Sequence, residues 1–386
     1  MSPESPAPPA IPFNRPCLTG NEQAYMLEAV RHGHASGNGP FTRRCQELLR
    51  EALGAVSVLL TTSCTHALEL AALLLDLHEG DEVIVPSFTF VSTANAFVLR
   101  GARPVFVDVR PDTLNLDEAQ VAALIGPRTR AVVPVHYAGV GCAMDRIVEV
   151  ASRRGVAVVE DNAHGLFASY RGRPLGSFGE LATLSFHETK NFSCGEGGAL
   201  VLNDPALVER AEILREKGTD RSRFDRGQVD KYTWVDLGSS YVISDLLAAY
   251  LLAQLESRER VLASRRRVFE TYGAQLSGWA DEHNVRLPIV PSECAPSYHM
   301  FFMLMPTSAA RDAMISHLRS LGIHSVFHYV PLHLSPMGRR FGRQSCPVTE
   351  DLSGRLLRLP FFNDLAAADL QRVIDGVRSF SWQGRS

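Results

Sequence analysis

Gly155-Val-Ala-Val-Val-Glu-Asp161 is the stretch that decides the fold. A short apolar run between a glycine and two carboxylates reads as a buried strand rather than a helix. Strands that are apolar on both faces belong to parallel sheets covered by helices. Such sheets gather their ligands outside the carboxyl ends of the strands, where Asp161 stands. A second short strand, Ala182-Thr-Leu-Ser-Phe186, carries Ser185 and leads to Lys190, which no local pattern would bury. The glycine-rich Gly195-Glu-Gly-Gly198 closes the unit. A lysine after a strand is ordinary when alone. A strand-end acid, a strand-end hydroxyl and a lysine in this order are what pyridoxal phosphate requires. The lysine amine bonds the cofactor aldehyde, the acid keeps the pyridine nitrogen protonated, and the hydroxyl takes a phosphate oxygen.

Outward from this unit, strands and helices alternate, which predicts a mostly parallel sheet with helices on both faces. Val56-Ser-Val-Leu-Leu60 reads as a first strand. Thr65 to Asp76 follows as a helix with leucines at 68, 70, 73, 74 and 75, apolar nearly all round and so buried. Glu82–Val85, Val105–Val107, Ala131–Val135 and Gly198–Leu202 are further strands. Pro134 places the Ala131 strand at an edge or marks its end. A long helix is expected from Ser244 to about Tyr272, with Glu256-Ser-Arg-Glu-Arg260 as a solvated face. The chain then divides into a proline-rich disordered tail (1–12), a large domain (13–260) and a smaller α/β domain (261–386). In the last, Tyr298–Met305 reads as a strand and Ala309–Leu321 as a helix.

The 386 residues exceed one typical core, which agrees with two domains, and 45% hydrophobic residues suffice for both. A net charge of −3 gives no electrostatic case for nucleic acid or an anionic membrane as partner. The seven cysteines (17, 45, 64, 142, 194, 294 and 346) are odd in number and form no C-x-x-C pair. Reduced thiols fit better than disulfides or a zinc site. The first ten residues lack the basic and apolar regions of a signal peptide, and no apolar stretch is long enough to span a bilayer. A cytoplasmic protein is expected.

Val159-Glu-Asp-Asn-Ala-His-Gly165, Ser185-Phe-His-Glu-Thr-Lys-Asn191, Gly195–Gly198, Pro86–Asn95 and Val132–Gly139 together resemble the DegT/DnrJ/EryC1/StrS nucleotide-sugar aminotransferases. The likeness runs from about Phe13 to about Asn363. It implies the pyridoxal-phosphate transferase fold type I, aspartate-aminotransferase-like, and a homodimer with shared active sites. It also implies site residues. Lys190 and Asp161 are the catalytic pair, and Ser185 meets the phosphate. Ser63 and Cys64, in the turn Thr61–Thr65, hold the phosphate as well; a Ser/Thr turn alone is an ordinary helix cap. Phe90 stacks on the pyridine ring, and His164 lies near its ring oxygen. Where the family commonly has Gly-x-Asn-x-Arg, this chain has Gly238-Ser-Ser-Tyr-Val242. Ser240 thus replaces an asparagine that reaches the partner's cofactor phosphate, and Val242 replaces the arginine.

On the substrate side, Arg221, Arg223 and Lys231 with Tyr232 and Trp234 combine cations and aromatics, which suits a diphosphate and a base. On charge alone the segment is equally a solvated loop. His328 and His333 match a family segment near the sugar. No acid or cysteine joins His324, His328 and His333 into a metal set, so no metal is expected. Ser36–Pro40 is a turn that the resemblance puts near the active site. The resemblance, which extends to the stretches Phe106–Thr113 and Arg226–Trp234, implies L-glutamate as donor and dTDP-4-dehydro-6-deoxy-glucose as acceptor, giving dTDP-4-amino-4,6-dideoxygalactose. Two alternatives share these residues: amination at C3, or at C4 with other stereochemistry or another nucleotide. A non-catalytic regulatory protein is a third, opposed by the intact Lys190, Asp161 and Ser185.

Overall fold

The computed structural model describes residues 9–381. Seven strands build the main sheet: β1 (Ser57–Thr61), β2 (Glu82–Pro86), β3 (Arg103–Val107), β4 (Thr129–Val132), β5 (Ala157–Asp161), β6 (Leu181–Ser185) and β7 (Gly198–Leu202). Their spatial order is β1-β7-β6-β5-β4-β2-β3, and only β7 runs against its neighbours. This is the expected α/β sheet. β7 is buried along its whole length because helices close both faces. Among them are α1 (Cys64–Leu74), α2 (Val91–Val98) and α3 (Asp245–Glu256).

β4 stops at Val132, two residues before Pro134. Proline has no N–H for the ladder, but its carbonyl still accepts from the Asp161 N–H at 2.9 Å. The chain beyond Pro134 therefore stays beside the end of β5, and the proline marks a strand end inside the sheet. The end of β5 is held harder still by Glu160, which has no exposure. Its carboxylate accepts from His136 Nε2 (2.9 Å) and from the N–H groups of Gly176 (2.8 Å), Phe178 (2.6 Å) and Gly179 (2.9 Å). A buried carboxylate is tolerated only when its oxygens are met this fully.

The helix expected over Ser244–Tyr272 is two helices. α3 ends at Glu256, and α4 (Arg258–Glu282) starts again beyond Ser257. The Glu256–Arg260 run lies at this break and is largely exposed. Val261 still packs with the core under the sheet, while Val268, Tyr272 and Leu276 join a second core. That core is closed by α5 (Ser308–Ser320) and a three-stranded antiparallel sheet: β8 (Phe302–Leu304), β9 (Val326–Phe327) and β10 (Leu356–Arg358), with β10 central.

Two expectations need correction here. Ile11, read as tail, is buried in the second core, and its N–H bonds Gly322 O at 2.8 Å; residues 1–8 lie outside those described. The strand read from Tyr298 begins only at Phe302. Buried Arg265 of α4 takes the carbonyls of Tyr298 (2.8 Å) and His299 (2.5 Å), and Tyr298 sits at φ +53°. Neither residue is left free for a ladder. Among the described residues, no helix is long and apolar enough to cross a membrane.

Glu160→Gln turns one acceptor oxygen into a donor facing other donors. The variant should lose about 2–4 kcal/mol of stability in denaturant unfolding, because the amide leaves buried N–H groups unmet. Wild-type stability in that variant would remove Glu160 from its place in the fold.

Candidate active site

The carboxyl ends of β5 and β6 place Asp161 and Ser185 on one rim. Asp161 is buried, and its carboxylate accepts from the Thr93 hydroxyl (2.7 Å) and the Ala163 N–H (3.2 Å). Thr93 lies in the first turn of α2, whose N-cap is Phe90. Phe90 is 57% exposed, with its ring 6.5 Å from that of Tyr329. The Phe90 ring is thus left outside the core, with a face free to stack.

Lys190 lines a crevice with Ser185, His164, Asn191 and His299. Burial lowers the pKa of its amine; Cys64 and Asp161 raise it, and Arg358 lowers it further. A lysine with a depressed pKa beside a strand-end acid marks a reactive centre. Its neighbour Asn191 is locked in place. The Asn191 amide donates to Ser297 O (2.7 Å), its Oδ1 meets His299 Nδ1 (2.8 Å), and its carbonyl accepts from Asn363 (3.3 Å). Lys190 thus sits at the seam of the two cores.

The turn before α1 completes the rim. Ser63 caps the helix by accepting from the His66 N–H at 3.1 Å, and Cys64 opens it. Burial pushes the Cys64 thiol up to about 12, so it stays protonated. Gly198 packs against this turn: a Cβ there would come within 2.3 Å of Cys64 N and Ser63 C. Gly195, at φ +85°, makes the turn that brings the chain back. A helix N-terminus with a hydroxyl beside it suits a phosphate.

Three histidines form the wall opposite. His164 stacks on His299 at 4.2 Å between centroids, and His328 takes the Tyr137 hydroxyl at 2.8 Å. Burial first, and then nearby cations, hold all three well below the usual histidine range. His164 Nδ1 is buried without a protein partner. An orphaned ring nitrogen, a strand-end acid, a lysine amine and a capped helix start are the donor set that pyridoxal phosphate needs. The residues present fit it.

Other expected contacts fall elsewhere. His333 is buried with both nitrogens engaged, by Ser87 (2.6 Å) and Glu350 (3.0 Å), so it ties the end of β2 to the C-terminal region. Arg223 is spent on Glu209, Arg221 lies over Tyr232 (5.7 Å), and Lys231 is exposed. Within this chain the three sit on the surface beyond the crevice. Ser240 is exposed and bridges to Glu216, next to Tyr241, whose carbonyl accepts from the Thr62 N–H at 3.0 Å. It flanks the phosphate turn from outside. The turn at Ser36–Pro40 packs on Val242 and Asp245. A larger cleft of about 480 Å³ lies between Arg110 and Cys294. Its charges are mostly paired with one another: Arg110 with Asp112 and Glu118, and Arg171 with Asp145. Thr93, Asn191, His299 and Arg358 were not read from sequence. The Pro86–Asn95 stretch contains Thr93, but nothing in its spacing points at Asp161.

The histidine wall makes stability depend on pH. Each of the three titrates below its unfolded value of about 6.5, so the unfolded chain binds more protons in that window. The contribution is complete above about pH 6.5 and is lost as pH falls below it, by up to about 1.4 kcal/mol per pH unit for each group. Denaturant unfolding between pH 7.5 and 5.5 should show this slope, reduced in His164→Gln. A flat profile would mean that the wall is solvated.

The DegT/DnrJ/EryC1/StrS aminotransferase family model matches residues 16–378. GDP-perosamine synthase of Caulobacter vibrioides is 36% identical over 376 residues, covering 95% of this chain and 97% of that one. The crystal structure of the aminotransferase TlmJ from Streptoalloteichus hindustanus superimposes with a TM-score of 0.88 at 34% identity, over 96% of this chain and 98% of that one. Spr1654 from Streptococcus pneumoniae, in its PLP-form, gives 0.88 at 25% identity, over 96% and 98%. This chain belongs to the DegT/DnrJ/EryC1/StrS aminotransferase family, whose cofactor is pyridoxal phosphate.

Proposed function

We propose that this enzyme transfers the amino group of L-glutamate to C4 of a nucleotide-linked 4-keto-6-deoxy sugar. The observation that carries the reading is Lys190, which lines the crevice with Ser185 and His164 and whose amine feels the charge of Asp161. Family membership supports the reaction type. Bound here, pyridoxal phosphate supplies an electron sink for negative charge developing at the donor's Cα. Lys190 would hold the cofactor aldehyde, and its amine is the base that would take the Cα proton. Asp161 keeps the pyridine nitrogen protonated, and Thr93 orients Asp161. Ser63, Cys64 and Ser185 would hold the phosphate, Phe90 would stack on the ring, and His164 would meet its oxygen.

The acceptor has two readings. The resemblance carried by the stretches Phe106–Thr113 and Arg226–Trp234 favours dTDP-4-dehydro-6-deoxy-glucose and a product of the dTDP-4-amino-4,6-dideoxygalactose type. A GDP-linked sugar is favoured by the relative named GDP-perosamine synthase. We further propose a homodimer in which Arg221, Arg223, Lys231 and Ser240 serve the partner's site. Its support is the uncovered apolar surface beside them: Trp234 is 77% exposed, with Val235 and Leu237 also bare. His328, behind Tyr329, faces the sugar.

Purified enzyme with glutamate and a panel of dTDP- and GDP-linked keto sugars, with products identified by NMR, tests the reading. Lys190→Ala should abolish turnover, and Asp161→Asn should slow it by orders of magnitude, several kcal/mol in barrier. Loss of Arg221, Arg223 or Lys231 should raise KM for the sugar more than for glutamate. Amination at C3 alone would overturn the C4 assignment. An inactive wild type in the presence of every sugar would overturn the reading itself.

A further inference from the structure

The chemistry above leaves one buried imidazole of the crevice without a task. His299 stands just before β8, on a segment that docks against the first core. Its N–H meets Ala138 O (3.3 Å), and its carbonyl takes the Arg265 guanidinium (2.5 Å). Two residues earlier, Ser297 donates its hydroxyl to His164 O (2.5 Å). The His299 ring is fixed as firmly as its backbone. Ser297 O can only accept, so the Asn191 atom 2.7 Å from it is the amide nitrogen. Asn191 Oδ1 is then an acceptor, and the His299 nitrogen 2.8 Å away, Nδ1, carries the proton. The face of the ring lies on His164, with centroids 4.2 Å apart and planes 17° apart. Both rings line one crevice with Lys190. The charged and titratable groups facing His299 are Lys190, His164, Arg265 of α4 and Arg358 of β10. No carboxylate is among them, and burial with these cations keeps the stack uncharged.

We propose that His299 is a positioning residue whose ring holds the plane of the His164 ring, so that His164 can meet the ring oxygen of the cofactor. The proposal rests on the cofactor reading above. It follows from how little else restrains His164. The Ser297 hydroxyl holds its carbonyl, but among the described residues no hydrogen bond reaches its ring, and Nδ1 is buried without a partner. The terminal torsion of a histidine is broad, so packing alone sets the plane. Tyr137 meets the ring edge-on at 6.1 Å, and His328 lies 6.3 Å away. His299 is the neighbour in stacking contact. A hydrogen bond weakens steeply away from its preferred angle, so a ring free to turn would be a poor partner for a fixed oxygen. Asn191 adds a second link: it anchors His299 Nδ1 and follows Lys190 directly in the chain. The histidine wall and the lysine are thus referred to one residue.

The test compares the holoenzyme with His299→Asn, His299→Phe and His164→Ala. Asparagine keeps an N–H where Nδ1 stands and loses the ring. Phenylalanine keeps a flat ring and leaves Asn191 Oδ1 unmet. The readout is the pH midpoint of the visible absorbance of the cofactor held on Lys190. A hydrogen bond donated to the ring oxygen stabilises its anionic form, so the proton held beside it is lost at lower pH. Losing that bond raises the midpoint. His299→Asn should raise it by about 0.5–1 pH unit, and His164→Ala by at least as much. His299→Phe should stay within about 0.2 unit of wild type. A His299 needed only to satisfy Asn191 would give the reverse, with the midpoint moved by phenylalanine and not by asparagine. A midpoint unmoved in His299→Asn, or raised equally in both His299 variants, overturns the proposal. If asparagine leaves the protein unfolded, His299→Phe decides alone: a raised midpoint overturns the proposal, and an unmoved one upholds it. His164→Ala separates the two readings. If it too leaves the midpoint in place, the placing of His164 at the cofactor oxygen is what fails. If it raises the midpoint while His299→Asn does not, only the positioning by His299 is refuted.

Discussion

A carboxylate without solvent, Glu160, is the constraint on which this site depends. Successive residues of a strand point to opposite faces. Fixing Glu160 below the end of β5 therefore fixes Asp161 above it. The four donors that meet Glu160 come from two other segments, at His136 and at Gly176–Gly179. One interaction thus joins the chain after β4, the end of β5 and the approach to β6. The rim that carries Asp161 and Ser185 cannot shift without unsealing it.

Above that rim the charges are uneven. Lys190 and Arg358 are set against Asp161, and three histidines are kept neutral by burial. Neutral imidazoles let the wall offer acceptors and stacking surfaces without repelling the two cations. The second core supplies much of this wall: His299 and His328 lie on its segments, and Arg358 on its central strand. The first core supplies the acid, the amine and the helix start. Asn191, gripped by Ser297, His299 and Asn363, is where the two contributions are brought into register.

Local features were legible and distant pairings were not. β5, β6 and β7 declare themselves by short apolar runs, and the order of Asp161, Ser185 and Lys190 follows from the chain itself. The break at Ser257 leaves no glycine or proline behind, and the helical pattern runs through it. The strand read from Tyr298 fails because Arg265, over thirty residues earlier, claims its carbonyls. Nothing in the sequence singles out Arg358. Only the fold shows that its Nε faces inward and that no acid follows it there. His333 drew notice as a histidine in a family segment, and its engagement by Ser87 and Glu350 could not be read before both ends of that contact were in place.

The burial of Ile11 has a practical side. From Ile11 onward the amino-terminal segment is woven into the second core, and two residues later Phe13 roofs the Arg358 guanidinium. Anyone trimming the proline-rich leader to aid crystallisation, or fusing a tag close to it, is working within a few residues of the reaction chamber. A cut beyond Phe13 takes away the ring that covers one face of the Arg358 guanidinium.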